Sequence, residues 1–193
     1  MSRCAPRLVL ALSTVLLGLT TAACSTARST PPMKQASTHS DRPATVSKVD
    51  LPRYMGEWRV IAHVPYFLEK GKVDTADIYR LRPDGQIDNI FQFRKQQMDA
   101  PLQQWKARAW VVNPESNAEW KLQFIWPLTT TYLVVDLDPE YQWSVVTIPS
   151  RKLIWILARE RSLPPATYQA IVARLKASGF DTSKLALVPQ GPG

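Results

Sequence analysis

The chain has 193 residues, with 24 basic and 16 acidic side chains and a formal net charge of +8. The lysines and arginines are scattered singly and form no basic stripe interleaved with aromatics, which favours a solvated basic surface over a nucleic-acid site, so we expect no nucleic-acid partner. The only cysteines are Cys4 and Cys24. A domain after residue 24 therefore holds no disulfide, and its stability must come from a packed core.

The first predicted element is an export signal. Arg3 and Arg7 precede residues 8–24, which carry no charge and end in small residues. This pattern is typical of a signal peptide and is short for a membrane-spanning helix. The ending "TAAC" resembles the lipobox of bacterial lipoproteins, although Thr21 stands where leucine is usual. We expect a signal peptide over residues 1–23 and a lipid anchor at Cys24, with ordinary signal-peptidase cleavage as the alternative.

A flexible tether is expected next, over residues 24–49. This stretch is rich in Ser, Thr and Pro and has no aromatic residue, so it cannot bury enough surface to offset its chain entropy. All seven tryptophans fall in the remainder, and that length fits one domain. The sequence therefore predicts a single folded domain over residues 50–193.

Eight strands are predicted after Gly56, because apolar and polar residues alternate there with a period of two. The runs begin with "EWRVIAHV", include a hairpin around Asp84-Gly85, and end with "KLIWILARE". Short, even spacing of this kind indicates a sandwich or an up-and-down barrel.

One helix and a last short strand follow the eight runs. Prolines stand in the first turn of "SLPPATYQAIVARLKASGF", apolar residues recur at helical spacing, and Gly179 follows as a stop signal. These features predict an amphipathic helix packed on the outside of the sheet. The run "LALV" is expected to end the fold.

Strand alternation also assigns an interior face. Trp120, Leu122, Phe124 and Trp126 share one face of the fifth strand, with Lys121 and Gln123 on the other. Asn89 lies on the apolar face of the third strand, so it needs a hydrogen-bond partner there.

Three motifs, in order, resemble those of the lipocalins, and most closely those of the bacterial outer-membrane lipocalins. "RYMGEW" resembles the first family motif, "LDPEY" the second, and "LIWILAR", which ends at Arg159, the third. The resemblance covers nearly all of residues 50–190. It implies an all-β fold: an eight-stranded antiparallel up-and-down barrel with one C-terminal α-helix packed outside.

The resemblance also implies structural roles for three residues. Trp58 would close the narrow end of the barrel, Arg159 would lie across its indole, and Gly56 would let the entering chain pass closely. A planar cation on a tryptophan face contributes about 0.5–2 kcal/mol. The subgroup commonly has glutamate where this chain has Val60. This change removes a charge from the lumen and shifts the expected contacts toward apolar ones.

The implied function is binding of fatty acids, lysophospholipids or similar amphiphiles, with the tail inside the barrel and the head near Lys70 and Lys72 at the rim. No cofactor and no metal are implied, and no enzyme motif is present, so His63 is expected to be a rim or surface histidine. By resemblance, Ser25 after the anchor favours the outer membrane, with the domain facing the periplasm, and a homodimer is an open option. The alternative is a structural envelope lipoprotein that acts through protein partners. The candidate lumen residues are Val60, Tyr79, Phe91, Trp120, Leu122, Phe124, Tyr132 and Trp155.

Overall fold

The computed structural model describes residues 42–191. The expected signal peptide and Cys24 lie outside the described residues. Residues 42–49, which were expected to belong to the flexible tether, are instead part of the folded domain. The Val46 amide donates to the Val134 carbonyl at 3.0 Å, and the Val49 amide donates to the Ser116 carbonyl at 2.7 Å. Val49 is fully buried, so the domain begins before Asp50.

Within residues 42–191, the chain forms two helices, eight long strands and one short strand. The Asp50 side chain accepts a hydrogen bond from the Arg53 amide and so caps the first helix, which is a single turn that the sequence analysis did not predict. The elements are α1 (Leu51–Tyr54), β1 (Gly56–His63), β2 (Lys72–Leu81), β3 (Ile87–Lys95), β4 (Gln103–Val111), β5 (Glu119–Ile125), β6 (Leu128–Leu137), β7 (Trp143–Thr147), β8 (Ile154–Ala158), α2 (Pro165–Ala177) and β9 (Ala186–Leu187).

The eight long strands form a closed antiparallel barrel, which confirms the predicted fold class. Each strand from β2 to β7 pairs with the next one in the chain, and β1 pairs with both β8 and β2. Gly56 lies opposite Tyr79 on β2, and Arg59 lies opposite Ala158 on β8. The ninth strand, at the predicted "LALV" run, adds to β1.

The up-and-down order gives the barrel two different ends. The start of β1, the helix α1 and the β2–β3, β4–β5 and β6–β7 turns lie at one end, which we call the base. The β1–β2, β3–β4, β5–β6 and β7–β8 connections lie at the other end, which we call the mouth.

The predicted helix α2 packs on the outer wall of the barrel. Ile171 and Leu175 of α2 are buried against Ile154, Ile156 and other outward-facing residues of β7 and β8. Gly179 follows the helix with φ +80°, as the sequence predicted for a helix stop. Within residues 42–191, no helix has the length and apolar character needed to cross a membrane.

Candidate ligand-binding site inside the barrel

The inward faces of the strands form one continuous apolar cluster. Six of the eight candidate lumen residues are buried members of this cluster, and Trp155 is partly buried against it. Phe124 lies apart from it and is 47 % exposed, because the β5–β6 register shifts between Leu122 and Ile125 as β5 reaches the mouth. The six buried members are Val60, Tyr79, Phe91, Trp120, Leu122 and Tyr132.

At the base, the Arg159 guanidinium lies 3.7 Å from the centre of the Trp58 ring. The same guanidinium donates to the Glu57 carbonyl at 2.9 Å and to the Arg53 carbonyl at 2.7 Å. Gly56 has φ +100°, and a β-carbon there would lie 3.2 Å from Nη1 of Arg159. The glycine therefore gives the chain both the backbone conformation and the space that this contact needs.

Above this base lies a floor of hydrogen-bonded tyrosines. The Tyr54 hydroxyl lies 3.0 Å from the Tyr132 hydroxyl and 2.9 Å from Ser144 Oγ, and the Tyr79 hydroxyl donates to Tyr132 at 3.0 Å. Trp120 stacks on Tyr132 with ring centres 5.0 Å apart. Burial raises the pKa of Tyr54 to about 12 and the pKa values of Tyr79 and Tyr132 well above 10. The floor is therefore packed and uncharged at neutral pH.

The sequence analysis missed one carboxyl group in the lumen, that of Asp77. Asp77 shares the inward face of β2 with Tyr79, and its Oδ1 accepts a hydrogen bond of 3.2 Å from Asn89 Nδ2. Asn89, whose need for a partner the sequence predicted, is only 1 % exposed. Burial and then the charge of Glu69 raise the pKa of Asp77 to about 7, against the lowering effect of the Asn89 hydrogen bond. The lumen therefore keeps a carboxyl group, although Val60 stands where the subgroup has a glutamate.

A second polar group lies nearer the mouth. Glu69, from the β1–β2 connection, contacts His63 Nδ1 at 2.5 Å and accepts from Trp155 Nε1 at 3.1 Å. His63 is 8 % exposed, so of the expected positions, rim or surface, the surface one is wrong. The β1–β8 register shifts between Val60 and Ala62. Because this shift reverses the alternation of faces, His63 lies beside the inward-facing Trp155.

The mouth carries most of the large apolar side chains that are strongly exposed in the described part of the chain. Phe67 is 83 % exposed and Trp126 is 82 % exposed, and Ile125 and Leu128 lie beside Trp126 in the chain. The mouth also carries lysines. Lys72 Nζ lies 4.3 Å from the centre of the Trp105 ring. Three further lysines, which are exposed, are on the mouth connections or strand ends: Lys70, Lys95 and Lys152.

A cleft of about 320 Å³ lies outside the barrel, between residues 43–45, β6 and α2. Its two charged groups on β6 and α2 satisfy each other, because Arg174 Nε donates to Asp136 Oδ2 at 2.8 Å. In residues 42–191, no three His, Cys, Asp or Glu side chains are grouped as metal ligands would be. The interior of the barrel is thus the best candidate site, and it offers apolar contact and hydrogen-bond acceptors.

Comparison with known proteins agrees with this geometry. Residues 49–190 match the model of the lipocalin-like domain. The chain is 34 % identical to temperature-induced lipocalin-1 of Arabidopsis thaliana, over 75 % of this chain and 81 % of that protein. It is 32 % identical to the outer membrane lipoprotein Blc of Escherichia coli K12, over 77 % of this chain and 82 % of that protein.

Two further matches are more distant in sequence. Apolipoprotein D of Macaca fascicularis is 28 % identical, over 77 % of this chain and 80 % of that protein. The solved structure of insecticyanin from the tobacco hornworm Manduca sexta superposes with a TM-score of 0.62 at 16 % identity, covering 77 % of this chain and 85 % of that one.

Proposed function

Because the chain belongs to the lipocalin family, we propose that it binds fatty acids, lysophospholipids or similar amphiphiles in the barrel and carries or stores them in the cell envelope. One observation carries this proposal: a closed barrel lined by aromatic and aliphatic side chains has a packed base and an opposite mouth. Burial of each methylene group contributes about 0.8 kcal/mol. Such a wall would therefore hold an acyl chain, and the proposed role is binding rather than catalysis.

The names of the relatives support a location for this role. Blc is an outer membrane lipoprotein, and this chain has Cys24 in a lipobox-like context. We propose that acylated Cys24 anchors the protein to the outer membrane with the barrel facing the periplasm. A homodimer is an open option in the same proposal. The molecular mass of the protein in solution tests whether two copies pair.

The mouth supports loading from a membrane. Phe67 and Trp126 expose apolar rings there, and Lys70 and Lys95 bring positive charge to the same end. Anionic lipid headgroups attract surface lysines, and inserted aromatic side chains add apolar contact. An amphiphile would then pass from the lipid surface into the barrel without crossing bulk water.

The test is a titration of delipidated protein with saturated fatty acids and lysophospholipids of graded chain length, followed by tryptophan fluorescence. We expect affinity to rise with chain length and then to level off or fall, since a packed base does not yield cheaply. Ala107→Phe should weaken binding because Ala107 faces the buried Asn89 across β3 and β4. The matched control is Ala166→Phe on the exposed part of α2. The absence of saturable binding at every length would overturn the proposal.

The alternative, a structural lipoprotein that acts through protein partners, predicts a different composition of the purified material. Organic extraction followed by mass spectrometry should recover an amphiphile in a fixed molar ratio if the barrel carries one. An empty extract, together with a stably co-purifying envelope protein, would favour the structural role instead.

A further inference from the structure

The deep part of the lumen holds more hydrogen-bond acceptors than the described residues satisfy. Asn89 is 99 % enclosed, its Nδ2 donates to Asp77, and its Oδ1 has no partner within residues 42–191. A buried polar group without a partner costs about 1–3 kcal/mol, so an N–H donor that reaches Asn89 Oδ1 would be favourable.

The carboxyl group of Asp77 faces the interior of the barrel. It lies opposite Trp58 on one side and Phe91 on the other, and both of those side chains are buried. Asp77 nevertheless retains accessible surface, and because its strand is walled in on both sides, that surface faces the lumen. It forms no ion pair with any described residue. Its position is one inward-facing step above Tyr79 of the floor.

We propose that Asp77 and Asn89 form a deep subsite for the protonated amine of an amphiphile, which enters the barrel with its amine first. A primary ammonium group has three N–H donors and no acceptor, which suits two neighbouring acceptors, the free Asp77 oxygen and Asn89 Oδ1. A fatty carboxylate at this depth would be repelled by Asp77. This inference rests on the proposed function and reverses the orientation expected from the sequence.

The apolar part of the ligand then lies toward the mouth. Phe91 and Phe93 continue along the inward face of β3 above Asn89, and Trp105 packs against both. Further up, the exposed side chains of Phe67 and Trp126 surround the opening. The lumen thus has a polar floor and an apolar mouth, which is the polarity that an amine-first amphiphile requires.

The ionisation of Asp77 links binding to pH. Since burial raises the pKa of Asp77 to about 7, the ionised form grows from roughly a tenth to roughly nine tenths of the protein between pH 6 and 8, and amine affinity should rise about tenfold. His63 of β1 stands nearer the mouth and is paired with Glu69. The titratable groups that act on Asp77 from the surrounding elements are Glu69 and Tyr66 of the β1–β2 connection, Tyr79 of β2, and Tyr54 of α1.

The experiment compares four ligands of one chain length on delipidated protein by calorimetry, below the concentration at which they form micelles. They are a primary alkylamine, the alcohol, the carboxylic acid and the alkyltrimethylammonium ion. We expect the amine to bind at least tenfold more tightly than each of the other three. The trimethylammonium ion keeps the charge but lacks N–H donors, so equal affinity for it would place the charge at the mouth and overturn the inference.

Two variants locate the effect. Asp77→Asn should weaken amine binding at least tenfold, abolish its dependence on pH, and leave alcohol binding within about threefold. Asp88→Asn makes the same change on the outward face of β3, where Asp88 faces Arg82, and should change neither. Normal amine binding by a folded Asp77→Asn protein would overturn the inference. Failure of all four ligands and of the fatty-acid series would instead overturn the proposed function.

Discussion

Arg159 lies across the face of Trp58, with its guanidinium 3.7 Å from the centre of the ring, and the same side chain ties together the carbonyls of Arg53, Glu57 and Tyr141. One cation thus joins α1, β1 and the β6–β7 turn at the base. The residues that carry the family motifs therefore contact each other and lie beneath the tyrosine floor rather than at the mouth.

Arg159→Ala should lower the free energy of unfolding by about 1–3 kcal/mol, because it removes cation–π contact and packing at the base. Denaturant titration measures this loss, and Arg80→Ala on an exposed position of β2 is the control. Ligand affinity per folded molecule should stay nearly unchanged. Normal melting combined with abolished ligand binding would contradict the assignment of the base.

Asp77→Asn should stabilise the empty protein at high pH. The pKa of Asp77 is about 7 in the folded state and about 3.9 in an unfolded chain. Between these values the folded state binds the proton more tightly, so the contribution of this group to stability falls as pH rises from about 4 to about 7. The variant should gain on the order of 2–4 kcal/mol over wild type at pH 8 and little at pH 4. Parallel pH profiles of the two proteins would show that Asp77 is not perturbed.

Glu69→Ala should loosen the β1–β2 connection. Glu69 is buried and contacts both His63 and Trp155, so its removal leaves the buried His63 ring and the partly buried Trp155 N–H without their partner. A loss of about 2–4 kcal/mol is expected, with faster amide hydrogen exchange over residues 64–71. The neighbouring Lys70→Ala is the control, because Lys70 is exposed. Unchanged exchange in Glu69→Ala would mean that the loop is held by other contacts.

The double variant Trp126→Ser, Leu128→Ser should weaken binding to vesicles that contain anionic lipid by tenfold or more, since each inserted apolar side chain contributes on the order of 1 kcal/mol or more. Co-sedimentation in a Cys24→Ser background measures the barrel alone. The control is Val112→Ser, which likewise replaces an exposed apolar side chain by serine but lies at the base, where Val112 is 45 % exposed. It should not change vesicle binding. Equal loss in both proteins would argue against docking through the mouth.

Cys24→Ser should release the protein from membranes. Two or more acyl chains hold a protein firmly on a bilayer, whereas a single chain binds marginally. Fractionation of cells that express each form measures the partition, and Ser25→Ala is the matched neighbour that should stay membrane-bound. Equal partition of the Cys24→Ser and wild-type proteins would refute lipidation at this position.

Local sequence signals were sufficient to predict the architecture. Period-two alternation and the Asp84-Gly85 turn predicted the strands, the proline and glycine signals predicted α2, and the motifs at Gly56, Trp58 and Arg159 indicated the family. These features depend on neighbours in the chain or on residue types with one strong preference. The strands, the helix and the family motifs could therefore be predicted without the tertiary structure.

Which polar side chains face the lumen depends on the tertiary structure. A register shift after Val60 turned His63 inward, and another after Leu122 left Phe124 at the exposed mouth. The role of Asp77 became visible only in the structure, where the pairing of β2 with β3 places its carboxyl group beside the Asn89 side chain. Residues 42–49 were predicted to be tether because their hydrogen-bond partners, such as the Ser116 carbonyl for the Val49 amide, are distant in the chain. Each of these outcomes depends on pairing between distant segments, and a shift of one residue in such pairing moves a side chain from one face of the sheet to the other.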